Sequence, residues 1–294
     1  MLKRFTTSQA RWAYAFMAPS LVVLALFVFW PIVQIFWLSL HNYSLVQAVN
    51  PFIGLQNFRD LVSDSRFWNS FRDSIYYTIG AVPVTTCLAL AVALGLNERL
   101  RGTNVLRSAY FLPALSSLAV MGLVWQFLLN PDIGTVSYWL HEMGLPQVDF
   151  LDSTTLALPS VTFVGIWKNL GFDVVLFVAG LQAVPEMYYE AAKIDGAGRW
   201  QRFWHVTLPT LRPTTLFVVV TSVIGSFQVF DQVYVMTRGG PLFHTETLVT
   251  YMYHQGFEIF HLGYASAIAV VLFVFVLLLS VFQLRIFRYS EVDS

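Results

Sequence analysis

Three features of the sequence predict an all-α, polytopic membrane protein with six transmembrane helices. The first is composition: 56% of the 294 residues are hydrophobic and 12% are charged, whereas a soluble domain carries about 25% charged residues. The second is a set of six mostly apolar segments, each reaching the roughly 20 residues that a helix needs to cross the hydrocarbon core. The third is an uneven sharing of Lys and Arg between alternate loops, which sets an orientation. Formal net charge is zero, so charge balance points to no acidic partner, and no nucleic-acid partner is expected.

The first span, about 13–40, follows Lys3, Arg4 and Arg11. Its apolar stretch is too long for the core of a signal peptide, and no small-x-small cleavage site follows, so it is expected to be retained. The segment 42–73 carries Phe52-Ile53-Gly54-Leu55-Gln56-Asn57-Phe58 and Phe67-Trp68. It predicts short amphipathic helices at the membrane surface, either anchored there by their aromatics or touching an external protein. The second span covers about 74–96 and holds Cys87, the single cysteine. That count excludes a disulfide within the chain and a cysteine-rich metal site. The third span runs about 106–129, and the loop 130–156 after it has no Lys or Arg. The fourth is about 157–183, the fifth about 206–236 and the sixth about 264–287. Before the last, the segment 237–262 opens with Thr237-Arg238-Gly239-Gly240-Pro241, a turn signal. The whole of 1–294 is expected to form one membrane domain.

With the N-terminus placed in the cytoplasm, twelve of the seventeen Lys and Arg residues fall inside: Lys3, Arg4, Arg11, Arg99, Arg101, Arg107, Lys193, Arg199, Arg202, Arg212, Arg285 and Arg288. Arg59, Arg66, Arg72 and Arg238 fall outside, and Lys168 lies within a span. Positive residues favour the cytoplasmic side. Six spans then leave both termini cytoplasmic.

The same orientation puts the polar loop of about 185–205 in the cytoplasm. Pro185 is suited to the start of a helix, and Glu186 and Glu190 favour the positive end of its dipole. Ala191 and Ala192 are small enough to let a helix sink into a cleft. Asp195-Gly196 supplies a turn, since Gly takes positive φ freely. Trp200, Phe203 and Trp204 offer apolar area to press on the membrane domain. Pro209 and Pro213 lack backbone donors and disturb the start of the fifth span. A compact helix-turn-helix tied to two spans is the expected product, and such a tie can pass a partner's motion into the membrane.

The string Glu190-Ala191-Ala192, Asp195-Gly196-Ala197, Phe203 and Leu208-Pro209, with Pro213 after it, resembles the EAA loop of ATP-binding-cassette (ABC) importer permeases. The resemblance implies the type I ABC importer permease fold and a short helix that docks on an ATPase subunit. The residues just named are the expected coupling set. The chain has no G-x-x-x-x-G-K-[ST] phosphate loop. No cofactor is therefore expected in it, ATP and Mg being bound by the partner ATPase. Phe230-Asp231-Gln232-Val233-Tyr234-Val235-Met236, the turn after it, Thr245, Thr247, Tyr253, Phe257 and Leu262-Gly263-Tyr264-Ala265-Ser266-Ala267 are similar to the first permease of carbohydrate importers of the maltose and glycerol-phosphate type. The chain lacks the extra spans and large external domain of the bigger maltose permease, which suggests the compact six-span variety. The family implies a second permease subunit of similar fold, two ATPase subunits and an extracytoplasmic solute-binding protein. It also implies a lipid bilayer that is a bacterial or archaeal cytoplasmic membrane.

Ionisable and polar groups inside spans usually face a cavity or a partner. Span four offers Gly165, Lys168, Asn169 and Phe172 at i, i+3, i+4 and i+7, together on one helical face. Span five offers Ser222, Gly225, Ser226 and Gln228, with Asp231 nearer its outer end. Hydroxylated solutes need hydrogen bonds and a flat apolar face, and these residues supply both. In the family, the corresponding stretches line the transport cavity. Packing between helices through small and polar residues is the competing explanation, and for Asp231 a gating or interface role is favoured. Glycerol phosphate would bring a charge that Lys168 could meet, while a neutral sugar would need hydroxyl and aromatic contacts. A membrane enzyme would need clustered acid, base or metal groups, and only Lys168 and Asp173 come near that. No H-E-x-x-H or similar metal spacing occurs. A secondary transporter would have no use for the coupling loop.

Overall fold

The computed structural model describes residues 7–46, 49–97 and 110–292. Among these the chain is helical with no strand, and one isolated bridge joins His41 to Phe52. Four described helices are long and apolar enough to cross a membrane. They are α1 (Tyr14–Ser39, in a helix that starts at Thr7), Ser65–Asn97, Ala157–Gln182 and Leu262–Ile286. A fifth arises if Arg199–Thr210 and Arg212–Phe227, bent by 63°, count as one span. Residues 106–109, where the third span is expected to begin, lie outside the described residues, as do Lys3, Arg4, Arg99, Arg101 and Arg107. The described part of that span consists of a helical stretch at 110–115, a break at Ser116 and Ser117, and the apolar helix Leu118–Leu128.

The chain packs as two compact units, Met1–Ser63 with Met252–Val271 and Asp64–Tyr251 with Leu272–Ser294. In the first, α1 presents an almost fully exposed apolar surface, including Phe16 at 82% and Phe27 at 76%. That surface suits a lipid-facing helix, since lipid tails are as apolar as its side chains. The short helix α2 (Gln56–Ser63) is fixed to the end of α1 by Asn57, whose amide donates to the Ser39 carbonyl at 2.8 Å and the His41 carbonyl at 3.0 Å. Asp64 separates α2 from α3 (Ser65–Asn97). The surface segment expected over 42–73 thus holds one short helix, and its last residues already belong to the next long helix.

The second unit is organised by α3 lying along α5 (Ala157–Gln182), with α4 (Leu118–Leu128) beside α5. Small residues let α3 approach closely: Ala89 and Ala93 are fully buried in a cluster with Val174, Phe177, Leu211 and Val218. A second cluster gathers Tyr77, Ala81, Val161, Val164, Val233 and Met236. After α5 come α6 (Glu186–Ile194), α7 (Arg199–Thr210) and α8 (Arg212–Phe227), the last packed on both α3 and α5.

The fifth span departs from expectation at both ends. Pro213 sits in the opening turn of α8, where a missing donor is tolerated, and Pro209 in the last turn of α7, just after the widened turn Phe203–Thr207. The chain bends between them at Leu211, which is fully buried. At the other end the helix stops at Phe227 instead of running to 236. The Gln228 and Val229 amides fold back on the Gly225 and Ser226 carbonyls at 3.2 and 3.4 Å. A new short helix, α9 (Asp231–Met236), then starts with an acidic residue in its first turn and packs on α4. α10 (Leu248–Tyr253) and α11 (Leu262–Val292) complete the described chain.

Candidate functional site

The break between α8 and α9 creates a cavity of about 360 Å³ within the second unit, lined by α3, α5, α8 and the start of α9. Ligand clefts typically span about 300–1,000 Å³ and combine apolar walls with a few placed polar groups. Seven of the nine residues expected on the pathway line it: Asn169, Phe172, Ser222, Gly225, Ser226, Gln228 and Asp231. Phe172 and Phe230 bring aromatic side chains to the lining, and Asn169, Ser222, Ser226 and Gln228 bring polar ones. The space beside Gly225 is open, with no atom beyond its own stretch of helix within 4 Å of where a Cβ would stand.

The other two residues lie elsewhere. A Cβ on Gly165 would collide with the Tyr77 hydroxyl and stand 2.7 Å from Gln232 Nε2, so this glycine is a close-packing point. Lys168 is buried, and its ammonium donates to the Ala114 carbonyl at 2.6 Å, tying the 110–115 segment to α5. Lys168 and Asn169 are neighbours on a helix that turns 100° per residue, and only Asn169 reaches the cavity. Asp173, one turn beyond Asn169, does line it and accepts a long bond of 3.4 Å from the Ser222 hydroxyl.

Sequence reasoning missed the contribution of α3. Tyr77, Ala81 and Thr85 follow an i, i+4, i+8 stripe and all line the cavity. The Tyr77 hydroxyl also accepts from Gln232 Nε2 at 2.5 Å, which fixes the start of α9 against α3. The signal was that stripe of polar and small residues in an otherwise apolar helix.

The chain beyond α9 is held by a second set of contacts. Glu246 is 1% exposed and receives two bonds of 2.7 Å from the Arg66 guanidinium at the start of α3, plus one of 3.2 Å from Ser70. Paired N–H groups on a carboxylate give the strongest side-chain hydrogen bonds. The Arg66 guanidinium also lies 3.8 Å over the Phe243 ring. Nearby, Thr237 and Thr245 share a hydroxyl bond of 2.7 Å, and Thr247 donates to the Val229 carbonyl at 2.9 Å. The turn that opens with Thr237 to Pro241 is therefore closed by hydroxyl chemistry, and the segment just after it is clamped to α3 by the Arg66–Glu246 ion pair, whose acid is buried.

The loop at 185–205 forms the expected helix-turn-helix. Pro185 precedes α6 in an extended conformation. The helix ends in a left-handed turn: the Ala197 amide reaches the Ala192 carbonyl at 2.9 Å, the Gly196 amide reaches the Lys193 carbonyl at 3.1 Å, and Gly196 has φ +76°. This two-bond closure requires positive φ at the first residue past the helix cap, which glycine supplies without strain. No residue of α6 is buried, and Met187 and Ile194 are 67% and 87% exposed. Glu190, Ala191, Asp195 and Gly196 are exposed, while Ala192, Ala197, Phe203, Leu208 and Pro209 are half-buried. The Tyr189 and Thr207 hydroxyls bond at 3.0 Å, linking α6 to α7. Of the three aromatics expected to press on the membrane domain, only Phe203 is partly buried. Trp200 and Trp204 remain 76% and 57% exposed because each packs edge-on against Phe203 instead.

A family model described as "Binding-protein-dependent transport system inner membrane component" matches residues 65–288. The sn-glycerol-3-phosphate transport system permease protein UgpA of Agrobacterium fabrum is 36% identical over 273 residues, covering 92% of this chain and 93% of its own. The trehalose/maltose transport system permease protein MalF of Thermococcus litoralis is 33% identical over 283 residues, covering 96% of both. Among solved structures, a chain of a bacterial ABC transporter involved in the import of the acidic polysaccharide alginate superposes with a TM-score of 0.84. That chain is 23% identical, with 96% of both chains covered, and the likeness shows a shared fold.

Proposed function

The chain belongs to the binding-protein-dependent inner-membrane components of ABC importers, and from that premise we propose that it forms half of the pathway for a sugar. It is a transport subunit and not an enzyme. The observation that carries the substrate reading is the cavity at the α8–α9 break. It brings Asn169, Ser222, Ser226 and Gln228 together with Phe172 and Phe230 on one lining, the mix of hydrogen-bonding groups and flat apolar faces that a mono-, di- or oligosaccharide needs. The trehalose/maltose relative supports a sugar, and the sn-glycerol-3-phosphate relative supports a phosphorylated polyol as the second reading.

In this reading the rest of the machine lies in other chains: a second permease of similar fold, two ATPase subunits that bind ATP and Mg, and an extracytoplasmic solute-binding protein. The exposed helix α6, with Glu190, Ala191, Ala192, Asp195, Gly196 and Ala197 around its end, docks on an ATPase. The Tyr189–Thr207 hydroxyl bond ties it to α7, which carries Phe203, Leu208 and Pro209, and the bend at Leu211 carries its movement to α8, where Ser222, Gly225 and Ser226 line the cavity. The rise from Arg212 to Ser222 is roughly 15 Å at 1.5 Å per residue, so a rocking of α6 moves the cavity wall through one stiff rod. Both termini and α6 lie in the cytoplasm, and the Arg66–Glu246 clamp lies outside.

The test is purification of the chain from its own membranes in mild detergent, with and without Glu190→Lys. The wild-type chain should carry a second permease and an ATPase, and the complex should take up a sugar when its binding protein is added. Glu190→Lys should insert normally and lose the ATPase. A chain that purifies alone and active, or a variant that keeps both ATPase and uptake, contradicts the proposal.

A further inference from the structure

The cavity has a sign. The ionisable acids and bases on its lining are Asp173 and Asp231, and among the described residues no Lys, Arg or His joins them. The cation nearest in sequence, Lys168, is turned the other way and held by the Ala114 carbonyl at 2.6 Å. Asp173 is buried in the wall, and Asp231 is exposed in the cavity at the first turn of α9. A concave, low-dielectric wall focuses the field of such groups and changes local ion concentrations by roughly 10–1,000-fold. From this placement we infer that the half-pathway supplied by this chain is selective by charge. It accepts neutral polyhydroxylated or ammonium-bearing solutes and rejects phosphate-bearing and carboxylate-bearing ones.

This rests on the reading of the cavity as the solute path, and it decides between that reading's two substrates. A phosphorylated polyol would carry its negative charge past Asp231 and Asp173 with no cation among the described lining residues to offset it. A neutral sugar meets the same carboxylates as hydrogen-bond acceptors for its hydroxyls. An amino sugar gains an ion pair as well.

The measurement needs no knowledge of the natural solute. Cys87 is the single cysteine, so Cys87→Ser gives a thiol-free background in this chain. Ser226→Cys, and separately Gly225→Cys at the open position, then place one thiol on the cavity wall. The complete importer, purified with its partner subunits and placed in lipid nanodiscs, is treated with a cationic (trimethylammonioethyl), an anionic (sulfonatoethyl) or a neutral (methyl) methanethiosulfonate. Modification of this chain is followed by mass. The cation-to-anion rate ratio, divided by the same ratio for a free thiol in solution, should be at least about tenfold. Asp231→Asn should bring it most of the way toward one, and Asp231→Asn with Asp173→Asn further still. Lys168→Met should leave it unchanged, because that ammonium does not face the cavity. A normalised ratio of one or below in the intact complex overturns the charge inference while leaving the solute path standing. Failure of both thiols to react with any of the three reagents, with or without ATP, removes the path itself and the inference with it.

Discussion

Gly165 and Gly225 look alike in the sequence, each a small residue on a polar stripe, and the structure gives them opposite roles. Gly165 is pressed against Tyr77 and Gln232, and Gly225 borders open space. Gly165→Ala should therefore overpack the α3–α5–α9 junction and cost about 1–3 kcal/mol of stability. Gly225→Ala should be neutral or stabilising by up to about 1 kcal/mol, since alanine favours helix over glycine. Thermal unfolding in detergent separates the two, and equal shifts would contradict the placement. The Arg66–Glu246 pair makes a second claim at this scale. Glu246 is 1% exposed, so Arg66→Ala strands a buried carboxylate and should cost about 3–5 kcal/mol. Arg66→Met combined with Glu246→Leu should recover part of that loss, because no charge is left unpaired. A double variant as unstable as the single would show that the pair itself is not what holds the 237–247 turn. At this scale the sequence was a partial guide. Helical periodicity put Gly165, Lys168, Asn169 and Phe172 on one face, and of these Asn169 and Phe172 line the cavity together with Ser222, Gly225 and Ser226 of the fifth span. It could not tell that Lys168 turns toward Ala114, because that depends on where the 110–115 segment crosses, a contact 54 residues away.

Among elements, α6 was the most legible and the fifth span the least. Pro185, Glu186, Asp195 and Gly196 are local signals for the ends of a helix, and α6 begins and ends where they stand. The stop at Phe227 has no such marker: Gln228-Val229-Phe230 is no turn signal by composition, and the apolar run continues to Met236. The break is imposed by tertiary contacts, with Gln232 bonded to Tyr77 and Val233 fully buried. For α6, the left-handed Gly196 is the point to probe. Gly196→Ala should cost roughly 1–2 kcal/mol locally, the price of a left-handed residue with a Cβ, and loosen the α6–α7 turn without disturbing the span helices. The measurable outcome is retention of the ATPase in detergent together with overall helicity by circular dichroism. Reduced retention at unchanged helicity supports a lever whose stiffness sits at Gly196. Unchanged retention means docking does not depend on that turn.

For the whole molecule, composition was enough to read an all-α membrane protein; six spans were expected, and the described residues hold four helices long and apolar enough to cross, or five if the bent pair is one span. The division into two compact units was not legible, because it depends on long-range pairing between residues near the N-terminus and the 252–271 segment. The orientation yields its own prediction: reporter fusions after Trp200 should signal cytoplasm, and fusions near Leu145 and Phe257 should signal the outside. An external signal after Trp200 would put α6 beyond the reach of any ATPase. If the chain is a sugar pathway, the space beside Gly225 is the road the solute takes and α6 only drives it. The most direct test is uptake by the complete importer in vesicles carrying Gly225→Phe, with Gly225→Ala as its partner. Both variants should assemble with their ATPases and hydrolyse ATP in response to the loaded binding protein. The alanine variant should transport near the wild-type rate and the phenylalanine variant at background. Normal transport through an assembled Gly225→Phe complex would mean that the cavity at the α8–α9 break is not the path.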